Sequence, residues 1–134
     1  TVEGNIGRSP NNRKKMAIVA RGGKHAVTHY KVEQTFGTMA ALVECRLETG
    51  RTHQIRVHMA SLGHPILGDP LYGGGEKRAR HLAPAIRQAL KEQNHQVLHA
   101  YLIGVFHPKR QEAMRWESDY PLYFKDMIDT LTIC

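Results

Sequence analysis

Two runs of alternating residues on either side of Phe36-Gly37-Thr38 constrain this chain more than any other feature. In the first, Ala26, Thr28, Tyr30 and Val32 alternate with Val27, His29, Lys31 and Glu33. In the second, Ala41, Val43, Cys45 and Leu47 alternate with Leu42, Glu44, Arg46 and Glu48. A period of two belongs to a strand buried on one face, and the Gly-containing break between the runs predicts an antiparallel hairpin. Ala41, Val43, Cys45 and Leu47 are expected to face inward, with Cys45 a small core side chain rather than a reactive thiol. The hairpin delivers the chain to the stretch LETGRTHQIRVHMASLGHPILGDPLYGGG, Leu47 to Gly75.

The centre of that stretch has helical spacing, with Ile55, Met59 and Leu62 at i, i+4 and i+7. Thr52 is the expected N-cap, and Gly63 followed by Pro65 is the stop. The first turn is unusual. Arg51, His53 and Arg56 crowd the positive end of the helix dipole, which disfavours each exposed cation by about 0.3–1 kcal/mol. A basic cluster there suits an anion, either a carboxylate of the same protein or a phosphate of a ligand; solvated side chains on an outer face are the alternative. Asp69, the sole Asp of the stretch, stands in Gly-Asp-Pro, where a carboxylate bonds nearby backbone amides, so a structural role is expected for it.

Around this centre, residues 1–15 read as a surface loop carrying Arg13, Lys14 and Lys15, followed by a short strand from Met16 to Ala20. Such basic side chains suit a phosphate backbone or plain solvation. Residues 76–95 form a basic insertion with a helix from Pro84, striped by Ile86, Ala89 and Leu90. Its Lys77, Arg78, Arg80 and Arg87 read as a solvated face or an RNA-facing patch. Val97 to Phe106 is apolar on both faces, and Ala113 to Ser118, with Met114 and Trp116 on one face, is its antiparallel partner. Pro121 opens a last helix lined by Phe124, Ile128 and Leu131. This order predicts an α+β fold with a mostly antiparallel sheet and flanking helices.

The 134 residues suit one domain, and 19 Lys and Arg against 12 Asp and Glu leave a formal charge of +7. Such an excess favours an anionic partner, nucleic acid first. Nine His residues invite a metal reading, but no helical His-Glu-x-x-His or Cys/His finger spacing occurs, and His25 and His29 stand apart on one strand. No metal site is expected. No Gly-x-Ser-x-Gly elbow marks a hydrolase, and Gly73 to Gly75 lack the Gly-Lys-Ser/Thr of a P-loop. There is no membrane-length apolar run, no signal peptide and no disulfide framework, so a cytoplasmic setting is expected. A start at Thr1 in a Gly-, Pro- and Asn-rich stretch suggests a piece of something longer.

GRTHQIRVH (Gly50 to His58) and HPILGDPLYGG (His64 to Gly74) resemble the RluA/RluD-type family of ribosomal large-subunit RNA pseudouridine synthases. The resemblance extends through GNIGRSPNNRKKM, GGKHAVTHYKV and LHAYLIGVFHP, nearly the whole chain apart from the basic segment after Gly75. It implies isomerisation of uridine in RNA, in large-subunit 23S rRNA, with no cofactor or metal, by flipping the uridine out and attacking with an Asp. Arg56 would then pair with that Asp. Leu71 and Tyr72 would wall the uridine pocket, supported by Ile55 and Leu67, and Arg51, Thr52 and His53 would stand behind it or contact RNA, as would Arg13, Lys14 and Lys15. The family's His-Arg-Leu-Asp stretch and the Tyr-bearing strand after it do not occur here, and Tyr30 does not inherit that Tyr's role. The chain therefore reads as the C-terminal portion, residues 1–134, of a synthase catalytic domain, inactive without the N-terminal half that carries the Asp. A non-catalytic RNA-binding module on the same scaffold is the alternative.

Overall fold

The computed structural model describes residues 1–74, 82–93, 95–100, 102–107 and 112–133. Within them the fold is α+β, with every strand pairing antiparallel. The central hairpin is β4 (Val27–Phe36) and β5 (Ala40–Leu47), and β1 (Val2–Glu3) adds to its other side to give the order β1-β4-β5. Two further ribbons pair β2 (Ile6–Arg8) with β3 (Met16–Ile18) and β6 (Leu102–His107) with β7 (Glu112–Glu117). The helices are α1 (Gln54–Ser61), α2 (Pro84–Gln93) and α3 (Leu122–Ile133). None of the described helices is long and apolar enough to cross a membrane.

The hairpin forms where the alternation puts it, but its inward face changes partway. Val32 pairs with Val43 while Gln34 pairs with Leu42, so one extra residue, Glu33, is bulged out of β4. A bulge shifts register by one residue on one strand and turns the following side chains to the other face. Phe36 is thereby turned onto the face that carries Ala40 and Leu42 of the unbulged β5, and the three pack in one core cluster with Ile86, Met127 and Leu131. Ala41 and Leu47, expected inward, are exposed, Val43 and Cys45 are half-buried, and Leu42, expected outward, is packed.

That core justifies the two later helices. The stripe Ile86, Ala89 and Leu90 of α2 faces it, and Ile86 has no exposed surface. Helix α3 contributes Met127, Leu131 and Ile128 while Lys125, Asp126 and Asp129 stay exposed. Lys77, Arg78 and Arg80 lie outside the described residues. In the β6–β7 ribbon, Met114 opposes Val105 and Trp116 opposes Ile103, and the strand begins at Leu102 rather than Val97.

Residues 1–15, expected as a loop, instead hold β1 and β2. Strands of two and three residues are too short to show alternation, but Val2 and Ile6 are buried and Ile6 centres a second, smaller core with Ala26 and Val57. Met16 and Tyr72 pack against it. Helix α1 lies on this second core, although not by the predicted stripe. Its buried residues are Gln54, Val57, His58 and Met59, while Leu62 is 39% exposed.

Polar residues can occupy the inner face of α1 because every one is bonded. Gln54 Nε2 donates to the Val27 carbonyl and to Thr28 Oγ1, both at 2.9 Å. Thr28 Oγ1 and His58 Nδ1 stand 2.8 Å apart, and both residues are fully buried. Buried polar groups satisfied in this way fix a register that apolar contacts leave loose. The network locks α1 onto β4 and thereby aims its third residue, Arg56.

Candidate active site

The entry to α1 departs from the expected cap. Thr52 is not the N-cap; His53 is, in the left-handed region at φ 56°, and its side chain makes no cap bond. Gln54 instead braces the turn that precedes the helix, its Oε1 accepting from Arg51 N at 3.0 Å and from Thr49 Oγ1 at 2.7 Å. A left-handed non-glycine costs about 1–2 kcal/mol and persists only where its surroundings hold it. Tyr72 does so: its hydroxyl lies 2.9 Å from His53 Nδ1 and the rings meet edge to face at 5.6 Å. The same hydroxyl accepts from Met16 N at 2.8 Å, tying β3 to the site.

Arg56 finds its anion within the chain. Its Nε donates to Asp69 Oδ2 and its Nη2 to Asp69 Oδ1, each at 2.8 Å, a planar two-point pair. Asp69 Oδ1 also accepts from Leu71 N at 2.9 Å and Tyr72 N at 3.1 Å, which is the turn role its Gly-Asp-Pro setting predicts. The Asp69 side chain has no exposed surface, and that of Arg56 keeps 13%. Burial by itself pushes the Asp69 carboxyl up. The hydrogen bonds from Arg56 and the two amides, with the guanidinium charge, outweigh it and hold the carboxyl below its usual range. Arg56 is raised in turn, chiefly by its bond to Asp69. A carboxylate from a distant turn thus supplies the negative charge that the first turn of α1 lacks.

The guanidinium also lies 5.0 Å from the centre of the Tyr72 ring, and Lys15 Nζ lies 5.9 Å from the same centre. Cations over a tyrosine face are attracted by its quadrupole. Burial, then the charge of Arg56, lower the His53 pKa against the opposing pull of Asp69, so the imidazole beside Tyr72 is neutral near pH 7. The bonds to Asp69 use Nε and Nη2, which leaves the Nη1 edge of Arg56 for a second acceptor.

Arg56, Tyr72, His53 and Lys15 therefore come together, and Leu71 joins through its backbone amide. Arg51 stands nearby, its Nε donating to the His25 carbonyl at 2.9 Å. Thr52, Arg13 and Lys14 are exposed and Ile55 is half-buried. Leu67 sits apart, packed against the cluster of Phe36 and Ile86. The sequence reading missed Asp69 as the partner of Arg56 and Met16 as the anchor of Tyr72. The only signal for the first was the combination of a cation-rich helix start and a lone nearby Asp. Among the described residues no three His, Cys, Asp or Glu side chains cluster as metal ligands would.

Residues 1–61 match the family described as RNA pseudouridylate synthase. Over 121 residues the chain is 49% identical to the ribosomal large subunit pseudouridine synthase D of Zymomonas mobilis, covering 90% of this chain and 36% of that protein. Over 133 residues it is 40% identical to the synthase D of Escherichia coli, covering 99% of this chain and 39% of that one. Over 90–99% of its own length the chain is thus similar to RNA pseudouridine synthases. It spans little more than a third of the length of these curated relatives. The solved structure of human RNA pseudouridylate synthase domain containing 1 has the same fold, with a TM-score of 0.71 at 24% identity over 96% of this chain and 51% of that one.

Proposed function

We propose that this chain is the Arg56-bearing, C-terminal portion of a synthase catalytic domain that isomerises uridine to pseudouridine in large-subunit ribosomal RNA, in the cytoplasm. Residues 76–95 are a basic insertion within it. The nucleophilic Asp comes from polypeptide outside these 134 residues, so the chain alone is inactive. The observation that carries the reading is the Arg56–Asp69 pair, in which Asp69 fixes the guanidinium through Nε and Nη2 and its Nη1 edge is left for a carboxylate. Asp69 itself is a poor nucleophile, because its side chain is fully buried and both oxygens are already accepting.

In the reaction the N1–C1′ bond of uridine breaks, a C5–C1′ bond forms, and the proton lost from C5 is matched by one gained at N1. No electrons are exchanged with the surroundings, and no cofactor is called for. Arg56 holds the attacking carboxylate ionised and oriented. Tyr72 and Leu71 wall the pocket, with Ile55 packing behind, while Arg51, Thr52, His53, Arg13, Lys14 and Lys15 contact RNA or brace those that do; Leu67, packed with Phe36 and Ile86, takes no part in the wall.

The test is a chimera in which residues 1–134 replace the matched segment of the Escherichia coli synthase D, assayed for pseudouridine in large-subunit rRNA. We expect conversion by the chimera, none by the isolated chain, and a loss of about a hundredfold or more with Arg56→Ala. Salt-sensitive RNA binding by the chimera without product would identify a non-catalytic RNA-binding module instead.

A further inference from the structure

One face of the hairpin is apolar and open. Directly paired residues of an antiparallel ladder share a face, and the pairs Thr28 with Leu47, Tyr30 with Cys45 and Val32 with Val43 place six side chains on one face, all but Thr28 largely apolar. Helix α1 covers the Thr28 end through Gln54 and His58. Beyond it Tyr30 is 40%, Val32 48% and Leu47 46% exposed. The opposite face at the same level carries His29, Lys31, Glu44 and Arg46, as a solvent face should. The face that would ordinarily be hidden is therefore the one left bare.

The edge of the same strand is open as well. In the order β1-β4-β5, the eight residues of β5 pair on one side only, with no strand partner on the other among the described residues. Long edges beside an apolar face are normally covered, because unpaired backbone groups and apolar surface together template association. The relatives carry well over half of their length outside the segment matched by this chain.

We propose that the outer edge of β5 and the Tyr30–Val32–Leu47 face form the seat of the remaining part of the synthase, the polypeptide that these relatives carry beyond the matched segment. This rests on the reading of the chain as a portion of a synthase. The seat adjoins α1 at its Thr28 end, where Gln54 and His58 meet β4. Cys45 reports on it directly, being a half-buried free thiol on that face of the edge strand. Burial and then the neighbouring Glu44 push this thiol up, so it alkylates slowly but measurably even in the isolated chain.

The experiment measures alkylation of Cys45 by N-ethylmaleimide, located by peptide mass mapping, in the isolated chain and in the Escherichia coli chimera, both with Cys134→Ser. We expect the rate to fall at least tenfold in the chimera. A Val32→Lys variant supplies a second reading, shifting the melting midpoint of the isolated chain by no more than about 2 °C and that of the chimera downward by about 5 °C or more. Equal alkylation rates, or equal shifts, would overturn the proposal, as would a chimera that precipitates when its Escherichia coli parent does not. Concentration-dependent dimers of the isolated chain, with Cys45 protected in the dimer but not in the chimera, would assign the face to a second copy instead. Pseudouridine formation in the same samples separates the two claims. An active chimera with unprotected Cys45 refutes the seat alone, and an inactive one with protected Cys45 refutes the enzymatic reading alone.

Discussion

At the scale of single residues, the pair of Arg56 and Asp69 dominates. Asp69→Asn keeps the shape and the amide bonds but removes the charge facing a guanidinium with only 13% of its side chain exposed. Breaking a buried pair on one side costs about 3–5 kcal/mol, and the residual exposure of Arg56 argues for the lower end. Urea unfolding at pH 7 should show a loss of about 3 kcal/mol. The pH dependence follows from the depressed carboxyl. A carboxylate lowered in the folded state stabilises fully above its unfolded value of about 3.9, and that contribution disappears as pH falls through the folded value. The gap between native protein and Asp69→Asn should therefore narrow below about pH 4. A gap that stayed constant down to pH 2 would mean that the charge on Asp69 is not what stabilises the turn. The roles of this residue were half legible beforehand. Its amide bonds follow from the Asp-Pro dipeptide, a local rule, whereas its partner lies 13 residues away and is reached only once the turn folds back on α1.

At the scale of elements, the turn that presents Asp69 depends on Gly68. Its φ is +74°, and a Cβ built there would lie 2.5 Å from the His95 carbonyl oxygen. Gly37 in the β4–β5 turn has a similar φ of +57° but open space around it. Both substitutions to Ala incur the left-handed penalty of about 1–2 kcal/mol, but only Gly68→Ala adds a clash with backbone that cannot swing aside. Thermal melts should rank Gly68→Ala clearly below Gly37→Ala, and Gly68→Ala should also weaken the Arg56 pair. Equal melts would show that residues 95–97 yield easily. The same contrast explains what could be read in advance. The hairpin was legible because alternation is a pattern in the chain itself, whereas the bulge at Glu33 leaves no mark in that pattern and turns Phe36 onto the face of Leu42 rather than that of Ala41. Helix α1 was legible in position but not in facing. A reading by apolar spacing selects Ile55, Met59 and Leu62, and cannot see that Gln54 and His58 are bonded well enough to be buried.

At the scale of the molecule, the net charge of +7 acquires a direction. Arg13 and Lys14 are exposed on the connection between β2 and β3, and Lys15, the next residue, reaches the Tyr72 ring. The basic connection thus adjoins the Arg56 site, held there by the bond from Met16 N to the Tyr72 hydroxyl. A phosphate backbone passing the site would meet Arg13 and Lys14 first. Each phosphate neutralised releases counterions, so the slope of log affinity against log salt changes by about 0.7 per contact for a single strand and 0.9 for a duplex. Arg13→Ser with Lys14→Ser should therefore flatten that slope by about 1.5 for an rRNA fragment, and should weaken binding to unrelated RNA by a similar factor. Both side chains are exposed and belong to neither core cluster, so the melting midpoint should stay put. An unchanged slope would mean that Arg13 and Lys14 make no phosphate contact and that this connection faces away from the RNA.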